Sequence, residues 1–284
     1  SQIMRIIEAS RKFVPQDFLH FLNREDLTQI RLGDQVEASL SILFSDIRSF
    51  TAISEAMSPE ENFRFINDYL RTMGPRIRDH AGFIDKYIGD AIMALFPRSA
   101  DDAVASAISM QQAMNEYNKT WDAGRFGRLR IGVGIHTGRM MLGIVGEEMR
   151  MDSTVISDAV NIAARLESLS KSYGCRILIS SATYRDLPPE RMAECRYLGP
   201  LRVRGKSSQV EIYEVFSADS ELMRAWKKES RARFEAAVQA MAAGNILAAV
   251  SLFQPLRREM ESDLTIEALL VRCQSPEETL QQAG

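Results

Sequence analysis

Two aspartates stand where apolar stretches of this 284-residue sequence end. Asp46 continues the period-two alternation that runs from Leu40 to Phe44, so its carboxylate falls on the apolar face of a predicted strand. Asp90 lies in the turn that follows Ile88, between two apolar segments. A turn aspartate ordinarily only shapes its turn, but a carboxylate on a core face must be paired, hydrogen-bonded or bound to metal. If the two strands are neighbours, both carboxylates can hold a hard cation such as Mg²⁺, which commonly also binds substrate phosphates.

A second set of polar residues lies on a predicted helix over 157–171. Asn161 and Arg165 are four residues apart, so they project from one face of that helix. A planar, permanently charged guanidinium suits the charge that develops on phosphate oxygens. Taken alone, the pair fits a solvated polar stripe better than a catalytic site. We expect Asp158 to interact with the helix dipole and Glu167 to lie on the helix surface.

Strand and helix patterns alternate from Ala38 to Phe216. Ser58-Pro59-Glu60-Glu61 predicts a capped helix start, and the Ile88-Gly89-Asp90 turn predicts a hairpin. Strands mixed with helices and hairpins indicate an α+β sheet covered on one face, not a doubly wound parallel sheet. The other predicted elements are a helix over Asp101–Trp121, a second hairpin of Arg128–His136 with Met140–Val145, and strands over Ile177–Ser180, Cys195–Val203 and Val210–Phe216.

The flanks of this region are helical in pattern. Residues 1–38 contain amphipathic segments at Ile3–Phe13 and Gln16–Leu22 and are predicted to form a linker or cap. Residues 218–284 are predicted to be a helical extension. Within it, the stretch from Phe234 to Phe253 resembles one tetratricopeptide-type hairpin, although such repeats usually stabilise one another in threes. The predicted domains are therefore 1–38, 39–217 and 218–284.

Composition excludes several classes of protein. A net charge of −3 without a long basic block argues against a dedicated nucleic-acid binder. No apolar run reaches the roughly 18 residues of a membrane-spanning helix, so no membrane contact is expected. The three cysteines are far apart and are predicted to be reduced, buried thiols in a cytoplasmic protein, and the three scattered histidines make a zinc site unexpected. Because the chain starts at Ser1 without Met, we expect a longer protein with an upstream sensor domain, itself cytoplasmic or the cytoplasmic part of a membrane-anchored protein.

Two glycine-containing segments resemble nucleotide-binding motifs, but their spacing and the patterns around them exclude that interpretation. Gly199 to Ser207 resembles a phosphate-binding loop, but it has one residue too many between its glycines and precedes a strand pattern instead of a helix. Gly132 to Gly138 misses the dinucleotide fingerprint by one residue and lies within a strand pattern.

Asp46, Asp90, Asn161 and Arg165 lie in three short segments that also contain other polar residues. Their order and spacing resemble the catalytic domain of class III nucleotidyl cyclases, in its bacterial adenylyl cyclase form, over about residues 39–217. The segments are Ser45-Asp46-Ile-Arg-Ser-Phe-Thr51, Phe83-Ile-Asp-Lys86-Tyr-Ile-Gly-Asp90 and Thr154-Val-Ile-Ser-Asp-Ala-Val-Asn161-Ile-Ala-Ala-Arg165.

The resemblance implies a ferredoxin-like α+β fold with an antiparallel sheet and covering helices, and a head-to-tail homodimer with active sites between subunits. It implies an adenylyl cyclase: attack of the ribose 3′-oxygen of ATP on the α-phosphorus, giving 3′,5′-cyclic AMP and pyrophosphate. It also implies two Mg²⁺ or Mn²⁺ ions per site. Carried over by motif, Asp46, the Ile47 carbonyl and Asp90 bind metal, Lys86 and Thr154 recognise the base, Asn161 orients the ribose, Arg165 stabilises the transition state, and Lys206 binds the distal phosphates.

The base can be argued from hydrogen bonding. A lysine such as Lys86 only donates, and adenine N1 accepts, while the Thr154 hydroxyl can accept from the exocyclic amine. Guanine presents a donor at N1 and would favour an acidic partner, yet Lys86 can also reach O6. ATP is therefore favoured, with a guanylyl cyclase and a catalytically silent nucleotide-sensing or dimerisation module as alternatives. A diguanylate cyclase would carry a Gly-Gly-Asp/Glu-Glu-Phe turn in place of the Tyr87 to Asp90 segment.

Overall fold

One mixed sheet forms the centre of the protein. The computed structural model describes Arg5 and residues 16–24, 27–147, 149–202 and 209–274. Eight strands pair in the order β2-β3-β1-β4-β6-β8-β7, with β5 on the far part of β4. The strands are β1 Gln35–Ile47, β2 Phe83–Ile88, β3 Ala91–Phe96, β4 Ile131–Glu147, β5 Arg150–Ile156, β6 Ile177–Ser180, β7 Cys195–Arg202 and β8 Gln209–Val215.

Helices connect these strands and follow them. They are α1 Gln16–Phe21, α2 Phe50–Glu55, α3 Pro59–Arg78, α4 Ala100–Tyr117, α5 Ala123–Phe126, α6 Asp158–Ser172, α7 Ser181–Arg185, α8 Pro189–Met192, α9 Glu221–Ala242, α10 Ile246–Glu259 and α11 Leu264–Gln274. The predicted start at Ser58 is confirmed, because Ser58 and Glu61 form a reciprocal capping box and Pro59 opens α3. The predicted segment Ile3–Phe13 lies outside the described residues.

Two predictions about strand pairing are wrong. The predicted antiparallel sheet is mixed, because β4 and β6 are parallel from Val133 and Ile177 onward. The predicted hairpin around Thr137 is instead one continuous strand, β4, which pairs with β1 from Ile131 to Gly143. The glycines of this stretch favour a turn locally, but pairing with β1 and then with β5 keeps the backbone extended.

Both faces of the sheet are covered, whereas one covered face was predicted. Leu43, Ile92 and Val133 belong to an apolar cluster that includes residues of α3 and α4. On the other face, Ile42 and Leu142 belong to a cluster that includes residues of α1 and α6. Alternate residues of β1 therefore face different clusters, and α6, which carries Asn161 and Arg165, lies on the second face.

The C-terminal helices share a third apolar cluster with the sheet. Phe234, Phe253 and Ile266, from α9, α10 and α11, are fully buried and belong to the same cluster as Leu198 of β7 and Leu166 of α6. The likeness to a tetratricopeptide hairpin stays a prediction. What the structure adds is that these helices pack against the strands and the helix that carries predicted site residues.

The remaining composition arguments concern thiols and membrane spans. Cys175, Cys195 and Cys273 are free and buried, as predicted. Across the described ranges, no helix combines the length and apolarity needed to cross a bilayer.

Candidate functional site

The two predicted aspartates meet at one edge of the sheet. β3 runs beside β1 with Ile92 opposite Ser45, which brings the β2–β3 turn alongside the end of β1. The backbone N–H of Ile47 donates to Asp46 Oδ1 at 3.0 Å and to Asp90 Oδ2 at 3.2 Å. One amide thus orients both carboxylates.

The carboxylates of Asp46 and Asp90 repel each other at this edge. Burial, and after it the hydrogen bond and the negative charge of the neighbouring Asp46, together raise the pKa of Asp90 to about 7. Two half-buried carboxylates so close together disfavour one another's ionisation. A cation between them would remove the repulsion, and carboxylate oxygens are the ligands that Mg²⁺ prefers. The donor set therefore fits a hard divalent cation.

Glu167 lies beside this pair and is not on the helix surface as predicted. It is 9% exposed, and burial followed by the charge of Asp46 raises its pKa to about 7. The positive charge of Arg48 opposes that shift. Arg48 in turn donates to Ser170 Oγ at 2.6 Å and to the Cys175 carbonyl at 3.2 Å, which fastens the end of β1 to the end of α6.

Two glycines of β4 allow α6 to approach this closely. A Cβ on Gly132 would lie 2.6 Å from Glu167 Oε1 and 2.7 Å from Arg48 Nη2. A Cβ on Gly134 would lie 2.1 Å from the Glu167 backbone nitrogen. The Gly-x-Gly pattern thus marks a close contact between α6 and β4. Ala163, Glu167 and Ser170 are spaced along one helix face, so this spacing and the two glycines together could have revealed from the sequence that Glu167 is buried.

Lys86 lies on β2 in an acidic setting. Its ammonium is 3.5 Å from Oδ2 of Asp85, whose side chain is fully buried. A bulge between Ile84 and Lys86 interrupts the regular alternation here, so two successive side chains can come together. Burial raises the pKa of Asp85, and the negative charge of Asp152 on β5 contributes to the rise. The strand that carries Thr154 therefore lies within electrostatic range of Asp85.

The predicted helix pair faces away from its own aspartates. Ser157 caps α6, its hydroxyl accepting from the Ala159 N–H at 3.1 Å. Since each helical residue turns about 100°, Arg165 projects about 160° and Asn161 about 120° away from Glu167. Glu167 points toward Asp46 of the same chain, so the other two side chains are directed elsewhere.

The structure thus brings together Asp46, Ile47 and Asp90. Lys206 lies outside the described residues. Sequence reasoning missed Arg48 as a link between β1 and α6.

Comparison with known proteins identifies relatives of this arrangement. The profile described as "Adenylate and Guanylate cyclase catalytic domain" matches residues 33–216. An adenylate cyclase of Anabaena cylindrica is 43% identical over 221 residues, which are 76% of this chain and 44% of that protein. This chain therefore spans less than half of that relative.

Two solved structures resemble the same region at similar levels. The adenylyl cyclase CyaB from P. aeruginosa is 34% identical with a TM-score of 0.56, covering 64% of this chain and 95% of that chain. The guanylyl cyclase Cya2 is 32% identical with a TM-score of 0.55, covering 65% and 94%. Overall similarity thus does not distinguish the two bases.

Proposed function

Because the chain belongs to the family of adenylate and guanylate cyclase catalytic domains, we propose that it converts ATP into 3′,5′-cyclic AMP and pyrophosphate. The observation that carries this proposal is the Asp46–Asp90 pair, oriented by one backbone amide at the sheet edge. A folded domain with no catalytic role gains nothing from two carboxylates that repel each other.

Divalent cations are part of this proposal. Asp46, Asp90 and the Ile47 carbonyl would hold Mg²⁺ or Mn²⁺, two per site. When bound, such ions lower the pKa of the ribose 3′-hydroxyl and stabilise the charge of the triphosphate. Within the described residues, no group of three or more His, Cys, Asp and Glu side chains could hold a metal ion. Substrate phosphates would therefore have to complete the coordination, which is how Mg²⁺ is commonly bound.

Lys86 and Thr154 would select the base. The Lys86 ammonium donates to adenine N1, and the Thr154 hydroxyl accepts from the adenine amine. Asp85 supports this assignment, because its buried carboxylate lies 3.5 Å from the ammonium and attracts the positive charge toward this end of β2.

Asn161 and Arg165 would serve the site of a second chain. On α6 they face about 120° to 160° away from Glu167, which points at the aspartates of the same chain. A head-to-tail homodimer would place them opposite the partner's metal-binding edge, where Asn161 orients the ribose and Arg165 stabilises the charge on the α-phosphate. Lys206 would bind the distal phosphates.

A product assay tests the activity. With ATP and Mg²⁺ or Mn²⁺, we expect cyclic AMP, and with GTP at most a minor amount of cyclic GMP. A preference for GTP would favour the guanylyl cyclase, which the similarity to Cya2 keeps as the second candidate. No cyclic nucleotide from folded dimer would favour a nucleotide-sensing or dimerisation module.

Mixing inactive variants tests the shared site. Asp46→Ala and Lys86→Ala should each be nearly inactive, because each removes one half of every site. A mixed dimer would contain one site with neither substitution, so mixing under conditions of subunit exchange should restore activity. Mixing Asp46→Ala with Asp90→Ala is the matched control and should restore none, since both residues lie in the same half. Equal recovery in both mixtures would disprove the shared-site arrangement.

We also propose how the activity is regulated. An upstream sensor in a longer, cytoplasmic or membrane-anchored protein would act through the geometry of the dimer. Signal-dependent activity in the full-length protein, absent from this chain, is the expected result.

A further inference from the structure

The C-terminal helices cover one side of α6. Leu166 and Tyr173 of α6 share an apolar cluster with Phe253 of α10 and Leu269 of α11, and all four are buried. On another side α6 lies against β4, where Gly134 leaves no room for a Cβ. The helix is therefore held between β4 and the C-terminal helices.

One arginine of α11 contacts the end of α6 at two points. The guanidinium of Arg272 lies 3.8 Å from the centre of the Tyr173 ring, and its Nη2 donates to Ser172 Oγ at 3.3 Å. Ser172 is the last residue of α6, and Tyr173 is its C-cap. A cation over an aromatic face is attracted more strongly when the ring is desolvated, and Tyr173 is 4% exposed. Because successive helical residues project about 100° apart, two such contacts restrain rotation of α6 about its axis.

The restrained side of α6 adjoins Arg165. Arg165, Leu169 and Tyr173 follow one another at intervals of four residues, so they form one stripe along the helix. Leu169 packs against the cluster that the C-terminal helices share. Burial raises the pKa of Tyr173, and the positive charges of Arg272 and Arg165 both oppose this rise. Arg165 thus lies at the border of the surface that the C-terminal helices cover.

The direction of Arg165 depends on the rotation of α6. Side-chain ends lie about 6 Å from a helix axis, so a rotation of about 10° moves them by about 1 Å. A displacement of about 1 Å at a reacting group can lower a rate by about 10²-fold. We propose that Arg272, by fastening α11 to the end of α6, is a positioning residue that keeps Arg165 directed at the reacting phosphate. The catalytic part of this proposal rests on the proposed function, whereas the restraint on α6 does not.

Hydrogen exchange tests the restraint without any reference to activity. Arg272→Gln removes both the charge over the Tyr173 ring and the guanidinium that bonds to Ser172. In the whole chain, amide exchange over residues 165–174 should then be faster by about threefold or more, measured by mass spectrometry.

Arg233→Gln is the matched control for this measurement. It removes the same charge and breaks the pair of Arg233 with Glu259, at 2.7 and 2.8 Å, which joins α9 to α10. Exchange in α6 should match that of the parent. Unchanged exchange in Arg272→Gln, or equal acceleration in both variants, would overturn the restraint.

Steady-state kinetics test the effect on Arg165. A group that acts only in the transition state changes kcat and kcat/KM together and leaves KM unchanged. For Arg272→Gln we expect kcat to fall about tenfold, with the KM for ATP within about twofold. Arg272→Lys keeps a cation over the ring and should recover most of kcat, and Arg233→Gln should match the parent.

A double variant separates positioning from a general loss of structure. In an Arg165→Ala background, Arg272→Gln should lower kcat no further, because no guanidinium is left to position. An equal further loss in both backgrounds would overturn the positioning role, since a structural defect acts whether or not Arg165 is present.

The two readouts distinguish this proposal from the proposed function. If the parent forms no cyclic nucleotide, the proposed function fails and the catalytic role of Arg272 fails with it, while hydrogen exchange still decides the restraint on α6. If the parent is active and Arg272→Gln has faster exchange but the kcat of the parent, only the positioning role is overturned.

Discussion

Charges removed from water are arranged in opposite ways at the Asp46–Asp90 edge and beneath the C-terminal helices. At the edge, two carboxylates share one N–H, and a third, Glu167, lies close enough for Asp46 to raise its pKa. Beneath α9 and α11, opposite charges alternate and each has a direct partner. The two regions contain the same kinds of side chain, so their difference lies in how the charges are compensated.

The C-terminal network is closely paired. The fully buried Arg196 donates to Glu214 Oε2 at 2.5 Å and to both carboxylate oxygens of Asp263 at 2.7 and 2.9 Å. Lys227 joins Glu214 and Asp219, each at 2.7 Å. The network connects β7 and β8 to α9 and to the residue before α11. Its geometry is that of an ion cluster in which every charge is satisfied.

The contrast separates structural from functional charge. A paired buried cluster fixes how two elements dock, whereas carboxylates that repel each other destabilise a fold and, under the proposed function, serve to bind cations. Removing a charge should therefore have opposite consequences in the two regions. In the first it should abolish activity and spare stability, and in the second it should lower stability.

Asp46→Asn gives the largest expected effect. Cyclase activity should fall roughly 10³-fold, because a neutral amide is a poor ligand for the cations that the reaction needs. Stability should not fall, since the repulsion on Asp90 is removed. Activity assays and urea unfolding measure the two quantities. Asp186→Asn, which neutralises an exposed aspartate, is the control and should leave both unchanged. An inactive and clearly less stable Asp46→Asn would contradict the assignment of this edge to function.

Asp263→Asn should give the largest loss of stability. Replacing the carboxylate removes the bidentate partner of the buried Arg196. Breaking a buried ion pair in this way lowers the free energy of unfolding by about 3–5 kcal/mol. Urea unfolding measures the loss, and Asp263→Glu tests whether charge alone is sufficient. If Asp263→Asn were as stable as the parent, the network would contribute nothing to the docking of the C-terminal helices.

Sequence reasoning identified the two aspartates better than it identified the buried ion network. The strand alternation that ends at Asp46 and the turn at Asp90 are local signals. The register of β1 with β3 makes the two strands neighbours, which was the condition for the carboxylates to converge. Arg196, Glu214 and Asp263 are far apart in sequence and have no local pattern. Only the docking of α9 and α11 onto the sheet brings them together.

Glu167 was mispredicted for the same reason. Helical periodicity can place it on the face of Ala163 and Ser170, but its burial depends on the absence of a side chain at Gly132 on another element. Likewise β4 was divided into two strands, because its glycines resemble a turn until the pairing with β1 is known. Local propensity is overridden wherever a long-range contact determines the backbone.

Glu167→Gln should change how stability depends on pH. In the folded protein the pKa of Glu167 is about 7, against 4.5 for the ordinary group. Between these values the unfolded chain has lost the proton that the folded chain retains, so the stability of the parent is highest below pH 4.5 and falls as the pH rises from 4.5 to about 7. At pH 8 the variant should be more stable by up to about 3 kcal/mol, and at pH 4 the difference should vanish.

Unfolding at a series of pH values tests this sign. Glu229→Gln, which removes an exposed carboxylate from α9, should show the same pH dependence as the parent. A Glu167→Gln variant that is less stable at pH 8 than the parent would mean that Glu167 is ionised and paired with Arg48 in the folded state.

Arg191→Gln gives the smallest expected effect, because it breaks a partly exposed ion pair that can be compared with the buried network. Arg191 on α8 pairs with Asp101 on α4 at 2.8 Å, and their side chains are 24% and 34% exposed. Water competes for this pair, so its loss should cost about 0.2–1 kcal/mol and should shrink further in 1 M salt. The loss in Asp263→Asn should hardly change with salt, because ions do not enter the buried network. Urea unfolding at two salt concentrations measures both. Equal salt dependence would mean that burial does not separate the two kinds of ion pair, and the contrast between compensated and uncompensated charge would then lose its physical basis.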